Sequence, residues 1–382
     1  MEYFLTELQQ TVKQLTRTIA EEKILPVRAQ LDEKEEFPWE IMKALGDTDL
    51  LGVYLPEKYG GLGGGCMDLC VVVEELSRVC SGVAVSYAVN SLGTFTLLGY
   101  GSEEQKQKFL PGIARGDILT AFALTEETAG SDAGGIKTTA TPVDDGYILN
   151  GTKCFITNGG EAKLYTVIAL TNKERGIRGA SAILVEKDTP GFTFGRKEKK
   201  MGIRCSSTRE LIFEDCFVPA ENLIGREGMG FAQAMRLFEL SRPGIGAQAL
   251  GLAQGALEAA VGYAKERVQF DHPIISFQAV QHMLANMAMD IEAARALVYA
   301  AARSVDAGVS VNMESAMSKV FASDVAMKVT TDALQIFGGV GYMRDYPIEK
   351  MMRDAKITQI YEGTNQVLRN VIASELRKKK SF

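Results

Sequence analysis

The stretch 359–366, Gln-Ile-Tyr-Glu-Gly-Thr-Asn-Gln, places a carboxylate, Glu362, directly before a glycine at the end of a helical region. Gly363 permits a sharp turn and leaves backbone N–H groups near the carboxylate. A general base beside hydrogen-bond donors is what removing a proton next to a carbonyl demands. One group takes the proton and the others stabilise the developing enolate. An isolated Glu-Gly pair, however, more often does no more than end a helix.

Two strand exits offer a second kind of chemistry. Phe122-Ala123-Leu124-Thr125 leads into Glu126-Glu127-Thr128-Ala129-Gly130-Ser131-Asp132, and Lys153-Cys154-Phe155-Ile156-Thr157-Asn158-Gly159 repeats the theme with an aromatic ring and a hydroxyl. Small residues after a strand expose N–H groups and hydroxyls that can reach a flat polar ring or an anion. Either segment alone reads equally well as an ordinary strand-to-loop exit. Arg267 with Phe270, and Gln335 ahead of Gly338-Gly339, are also ordinary in isolation. The only histidines are His272 and His282, so metal-dependent or Ser-His chemistry has little to work with.

Composition bounds the partners. A chain of 382 residues, 46% hydrophobic, can bury a substantial core and predicts two or three domains. Its net charge of −6 argues against nucleic acid, which demands a basic face. No uninterrupted apolar run is long enough to span a bilayer, so no membrane insertion is expected. The opening Met-Glu-Tyr-Phe-Leu-Thr-Glu resembles neither a signal nor a transit peptide, which predicts a cytoplasmic protein. Cys66, Cys70, Cys80, Cys154, Cys205 and Cys216 form no C-x-x-C pair and read as reduced structural thiols.

Three blocks must position these residues. In the first, Leu8, Val12, Leu15 and Ile19 repeat at helical spacing up to Pro26, and Pro38 opens a helix with Gly52 near its end. The run 58–65 is too glycine-rich to be anything but a loop. Helices are predicted over 67–79 and 103–109, the second stopping before Pro111. In the second block, short β-branched or aromatic runs at 118–124, 147–149, 165–170, 182–185 and 210–213 predict strands without intervening helices, hence an antiparallel sheet or barrel. Asn150-Gly151 reads as a hairpin turn. In the third, Phe231, Ala234, Met235 and Phe238 make one helical stripe. Val280, Met283, Leu284, Met287, Ile291, Ala294 and Val298 make another, consistent with a bundle. Gly338-Gly339 breaks a helix ending at Phe337, and a last helix is predicted over 365–380. The expected fold is therefore multidomain α and β: an all-α N-terminal domain (1–117), an antiparallel β-barrel or sandwich (118–228), and a C-terminal four-helix bundle carrying the base (229–382).

Taken in order, these segments resemble the acyl-CoA dehydrogenase family over essentially the whole chain. The matching motifs are Thr125-Glu126 with Gly130-Ser131-Asp132, Phe155-Ile156-Thr157-Asn158-Gly159 (Phe155 where many members have Trp), and Lys200-Met201-Gly202-Ile203-Arg204. They continue with Glu214-Asp215 before Val218-Pro219, Ser241-Arg242-Pro243, Arg267 with Phe270, Gln335-Ile336-Phe337-Gly338-Gly339, and Tyr361-Glu362-Gly363-Thr364. The resemblance implies an FAD held without a Rossmann domain. Gly244-Ile245-Gly246-Ala247-Gln248-Ala249 satisfies the loose G-x-G-x-x-A pattern but follows no strand, and is discounted.

By that resemblance Phe122, Leu124, Thr125, Gly130 and Ser131 line the flavin, Ser131 also reaching the CoA arm. Phe155 and Thr157 lie against the isoalloxazine. Arg267, Gln269, Phe270, Phe277 and Gln278 contact the adenine dinucleotide. Gln335, Gly338 and Gly339 reach the FAD of a neighbouring subunit, implying a homo-oligomer, usually a tetramer. Thr364 and Gln366 close the FAD site. Phe238, Glu239, Ser241 and Arg242 meet the CoA, and Tyr361 and Gly363 flank the substrate beside the base.

The implied reaction is α,β-dehydrogenation of an acyl-CoA thioester, with Glu362 taking the C2 proton and electrons leaving to an electron-transferring flavoprotein. Some relatives carry the base at the position of Ser241, and nitroalkane-oxidising relatives use Asp at the base position; neither pattern holds here. The helix around 86–92 lines the acyl pocket by resemblance, where Tyr87 predicts a short, branched or alicyclic acyl chain, or else merely packs in the core. Val83 stands where glutaryl-CoA dehydrogenases carry Arg, which disfavours a dicarboxylyl substrate. An acyl-CoA oxidase, an enoyl-CoA reductase running in reverse, and a catalytically silent flavin-binding scaffold are the alternatives.

Overall fold

The computed structural model describes residues 3–378. The first block is helical: α1 (Glu7–Ile19), α2 (Arg28–Lys34), α3 (Trp39–Asp47), α4 (Cys66–Val79), α5 (Ser81–Tyr100) and α6 (Glu103–Ala114). Thr6 starts α1 through a reciprocal cap. Gln9 N donates to Thr6 Oγ1 at 3.2 Å, and Thr6 N donates to Gln9 Oε1 at 3.1 Å. Two expectations shift here. α3 stops at Asp47, leaving Gly52 in a separate 3₁₀ turn (Leu50–Gly52). α6 runs past Pro111 to Ala114; the proline sits in its last turn and leaves the Gln107 carbonyl without its helical N–H partner.

The middle block is a sheet of β1 (Thr120–Ala123), β2 (Thr139–Val143), β3 (Gly146–Thr157), β4 (Leu164–Leu170), β5 (Ala180–Glu186), β6 (Phe192–Lys197), β7 (Thr208–Pro219) and β8 (Leu223–Ile224). The order is β6-β7-β3-β2-β4-β5-β8, with β1 also beside β4. Pairing is antiparallel except where β1 and β2 meet β4, both parallel. Tyr165, Phe192 and Phe213 fill its interior, the two phenylalanines stacked at 4.8 Å. Asn150-Gly151 is not the hairpin turn; Asp144-Asp145 is. The Asn-Gly pair sits inside β3 at a register shift against β7. Its side chain joins the two strands, Asn150 Nδ2 donating to Asp215 Oδ1 at 3.1 Å and Asp215 N donating back to Asn150 Oδ1 at 2.9 Å. Turn chemistry has been spent on a bulge.

The last block contains α7 (Gly230–Glu266), a short hairpin of β9 (Val268–Gln269) and β10 (His272–Pro273), α8 (Gln278–Asp306), α9 (Asn312–Phe337), α10 (Ile348–Thr358) and α11 (Asn365–Lys378). The C-terminal end of the expected 365–380 helix lies outside the described residues. Of the predicted stripe α8 buries Leu284, Met287, Ile291, Ala294 and Val298, with Val280 and Met283 half-buried. α7 is the spine, packing against α4, α8 and α9. It approaches α4 so closely that a Cβ at Gly251 would lie 2.1 Å from Glu74 O, and one at Gly255 2.0 Å from Arg78 O. The discounted glycine pattern at 244–249 is mid-helix in α7. Among the described residues no helix is long and apolar enough to cross a membrane, and all six cysteines are buried and unpaired.

Candidate functional site

A cavity of about 430 Å³ opens where α5, the exits of β1 and β3, α7 and the turn at 361–363 converge. Two asparagines tie its walls together. Asn90 on α5 accepts from Thr120 N at 2.8 Å, while Asn158 Nδ2 donates to Ser86 O at 3.0 Å. The start of β1 and the exit of β3 are thereby fixed against α5.

The α5 wall is Val85, Ala88, Val89 and Leu92. Their spacing of i, i+3, i+4 and i+7 puts them on one helical face. Of the two readings of Tyr87 the structure takes core packing: it turns into the helical core, where its buried hydroxyl donates to Leu50 O at 2.8 Å. It neither shortens nor shapes the cavity.

At the opposite end Glu362 and Gly363 are consecutive left-handed residues, with φ of 51° and 94°. A non-glycine residue in that region costs about 1–2 kcal/mol, so the surroundings must enforce it. Arg242 Nε donates to Glu362 O at 3.4 Å, and Tyr361 OH donates to Gln248 Oε1. Ser241 Oγ donates to Glu362 Oε2 at 2.7 Å. Glu362 lines the cavity, and burial pushes its pKa above the ordinary carboxylate range. The Ser241 bond and the charges of Arg242 and Lys319 pull the other way, without cancelling it. The result is a carboxylate of increased basicity at the wall of an apolar chamber.

Ser241 and Arg242 directly precede Pro243 in α7. Proline inside α7 leaves the Glu239 carbonyl without its helical N–H partner, and Ser315 Oγ of α9 donates to it instead at 2.6 Å. Glu239 itself does not line the cavity; its carboxylate pairs with Arg236 at 2.5 Å. Phe238 does, edge-on to Phe122 at 5.8 Å.

The strand exits supply the remaining wall: Phe122, Leu124, Thr125, Gly130, Ser131, Phe155 and Thr157 all line the cavity. Phe155 holds φ at 57° and stands 63% exposed. An apolar ring so displayed beside a hydroxyl suits a flat heteroaromatic partner. A Cβ at Gly130 would meet nothing, so that backbone is open to a ligand. The loop after β1 is anchored by a pair that sequence reading missed. Lys153, 0% exposed, donates to Glu126 Oε1 at 2.8 Å and to Leu124 O at 3.0 Å. The Glu126 carboxylate also accepts from Lys137 N and Thr138 N at 2.6 and 3.0 Å. Burial pushes the Lys153 ammonium down to about 8, while Lys153 and the two amides hold the Glu126 carboxyl low despite its own burial.

Other predicted residues lie elsewhere. Arg267, Gln269, Phe270, Phe277 and Gln278 surround the β9–β10 hairpin, and none lines the cavity. Phe270 is 87% exposed and meets Phe277 edge-on, ring centroids 6.1 Å apart. Gln335, Gly338 and Gly339 are exposed at the end of α9. Thr364 starts α11 by accepting from Val367 N at 3.2 Å, and Gln366 faces solvent. On a helix buried nearly all round no local signal singles out Val85, Ala88, Val89 and Leu92, and nothing local signals Lys153.

Three family models match consecutive parts of the chain: "Acyl-CoA dehydrogenase, N-terminal domain" over 6–117, "middle domain" over 121–216 and "C-terminal domain" over 228–376. Among solved structures, butyryl-CoA dehydrogenase from Megasphaera elsdenii is 47% identical with a TM-score of 0.97, covering 99% of this chain and 100% of that one. A chain in the structure of the electron transferring flavoprotein of Acidaminococcus fermentans is 50% identical, also with a TM-score of 0.97, covering 99% and 100%. Acryloyl-CoA reductase (NADH) of Anaerotignum propionicum is 48% identical over 381 residues, 99% of this chain and 97% of that protein.

Proposed function

This chain belongs to the acyl-CoA dehydrogenase family, and from that premise we propose that it is a cytoplasmic, homo-oligomeric enzyme that introduces the C2–C3 double bond into a short-chain acyl-CoA. The family is one of FAD-dependent oxidoreductases. The observation that carries the reading is Glu362: a desolvated carboxylate on a left-handed turn, facing a chamber whose other end exposes Phe155 and Thr157. Phe155, Thr157, Thr125, Gly130 and Ser131 would hold the flavin, which when bound supplies the hydride acceptor.

The chain's own part is to bind, orient and deprotonate. Glu362 takes the C2 proton. Ser241 stabilises its carboxylate through the 2.7 Å hydrogen bond, and the Glu362 backbone N–H donates to the thioester carbonyl as charge builds there. Valine, alanine and leucine on α5 exclude water from the acyl end. A chamber of about 430 Å³ is near the small end of ligand pockets, roughly 300–1,000 Å³. Shared between a flavin ring and an acyl chain, it favours few carbons, in keeping with the butyryl-CoA relative.

The exposed residues Arg267, Phe270, Gln335, Gly338 and Gly339 suit a subunit contact that extends the FAD site, most simply in a tetramer. Electrons are assigned to an electron-transferring flavoprotein, in keeping with the A. fermentans relative. The likeness to an NADH-linked acryloyl-CoA reductase favours one second reading, reduction of a short enoyl-CoA through the same residues. Anaerobic bleaching of the yellow protein, screened across butyryl-, octanoyl-, isobutyryl- and cyclohexanecarbonyl-CoA, tests the substrate. Butyryl-CoA should bleach fastest, and preference for octanoyl-CoA would refute the short-chain assignment. Turnover with butyryl-CoA should need added electron-transferring flavoprotein; NADH formed from NAD by the protein alone would overturn the acceptor.

A further inference from the structure

α9 carries a lysine that the proposed reaction leaves without a part. Lys319 is 0% exposed, and its ammonium has two acceptors. It donates to Gly363 O at 2.8 Å and to Asn365 Oδ1 at 3.0 Å. These acceptors flank the base turn on its C-terminal side, while Arg242 holds the Glu362 carbonyl from α7. The loop between α10 and α11 is closed by Asn365 N donating to Gln359 O at 3.0 Å. Asn365 Nδ2 donates to Asp324 Oδ1 at 2.9 Å and to Ser323 Oγ at 2.8 Å, and Gln359 Nε2 donates to Asp324 Oδ1 at 2.7 Å. One face of α9 thus grips both ends of the loop that presents Glu362.

Resting on the assignment of Glu362 as base, we propose that Lys319 is its positioning residue, locking the left-handed Glu362-Gly363 turn through its charged bond to the Gly363 carbonyl. A neutral side chain of similar volume would fill the space and leave the Gly363 carbonyl without its charged donor. The charged and titratable groups around Lys319 are Glu362, Arg242 on α7 and Asp324 on α9, with Tyr361 preceding the base. Burial pushes Lys319 down to about 7, against the pull of Glu362.

The test is anaerobic flavin bleaching by butyryl-CoA across pH for the FAD-loaded wild type and for Lys319→Met, Lys319→Arg and Glu362→Gln. Lys319→Met should keep its FAD and bind butyryl-CoA nearly as the wild type does. Its limiting bleaching rate should fall roughly tenfold to 100-fold, the scale of a small misplacement of a reacting group. Its pH profile should move to higher pH, because the carboxylate has lost a stabilising cation. Below pH 7, where both side chains are cationic, Lys319→Arg should restore most of the rate. A Lys319→Met enzyme with wild-type rate and profile overturns the proposal, as does a loss that merely tracks lost FAD. If Lys319→Met does not fold, Lys319→Arg decides alone: a rate that stays tenfold or more below the wild type at pH 6, where both side chains are charged, is refutation. An active Glu362→Gln would instead refute the base itself, whatever the lysine variants do.

Discussion

Ser241→Ala separates the placement of the base from its basicity. Ser241 is buried, and its hydroxyl makes a 2.7 Å bond to the Glu362 carboxylate, with only a 3.5 Å alternative to Phe238 O. A hydrogen bond to a charged group contributes about 1.5–3 kcal/mol. The carboxyl faces a cavity rather than sealed protein, so the low end applies. At about 1.4 kcal/mol per factor of ten, that is roughly a tenfold loss of the ionised, reactive form at a pH below the midpoint. The sign follows from which form the bond favours. The serine stabilises the carboxylate, so its removal raises a pKa that burial has already raised. Bleaching by butyryl-CoA, followed anaerobically from pH 5.5 to 9, should therefore show a profile displaced to higher pH, with the wild-type plateau recovered at its alkaline end. Stability should respond oppositely. A carboxyl that holds its proton more tightly when folded stabilises the protein fully below the ordinary carboxylate range and loses that contribution as pH rises through its folded pKa. Ser241→Ala should carry that loss to higher pH in a melting series. An undisplaced activity profile with a lowered plateau would refute the reasoning, making Ser241 a steric element only.

Glu362→Gln should retain FAD and lose roughly 10²–10⁴ in bleaching rate, the usual contribution of a general base. Its melting temperature should hold or rise, since a buried charge is replaced by an amide. Lys153→Met breaks a buried pair from one side and should cost about 3 kcal/mol, the low end for such losses, because Glu126 keeps two amide donors. Calorimetry should show lowered melting with partial recovery in Glu126→Gln/Lys153→Met; an unchanged melting temperature in the single variant would refute this. Arg267→Ala should shed FAD and loosen the oligomer on size-exclusion chromatography, and a variant that stays yellow and assembled would remove Arg267 from the cofactor site.

Short-range chemistry was legible from the residues themselves. A carboxylate before a glycine, small and hydroxyl residues at two strand exits, and period-3.6 stripes in the last block need no distant partner to be recognised, and the block order helical, sheet, helical followed from them. The Asn150-Gly151 reading failed because turn propensity is local while a bulge depends on what the neighbouring strand offers, here Asp215. Tyr87 was undecidable because α5 is buried nearly all round and offers no polar face to orient it. The tertiary structure alone decided that Val85, Ala88, Val89 and Leu92 face the cavity. It alone brought Lys319, Ser241 and Arg242 from two other helices onto the turn at Glu362, and set Lys153 under the loop of Glu126. Those contacts span 27 to 121 residues of chain. A sequence names the groups that can react; the basicity of one of them is fixed by burial and by neighbours that only the folded chain supplies.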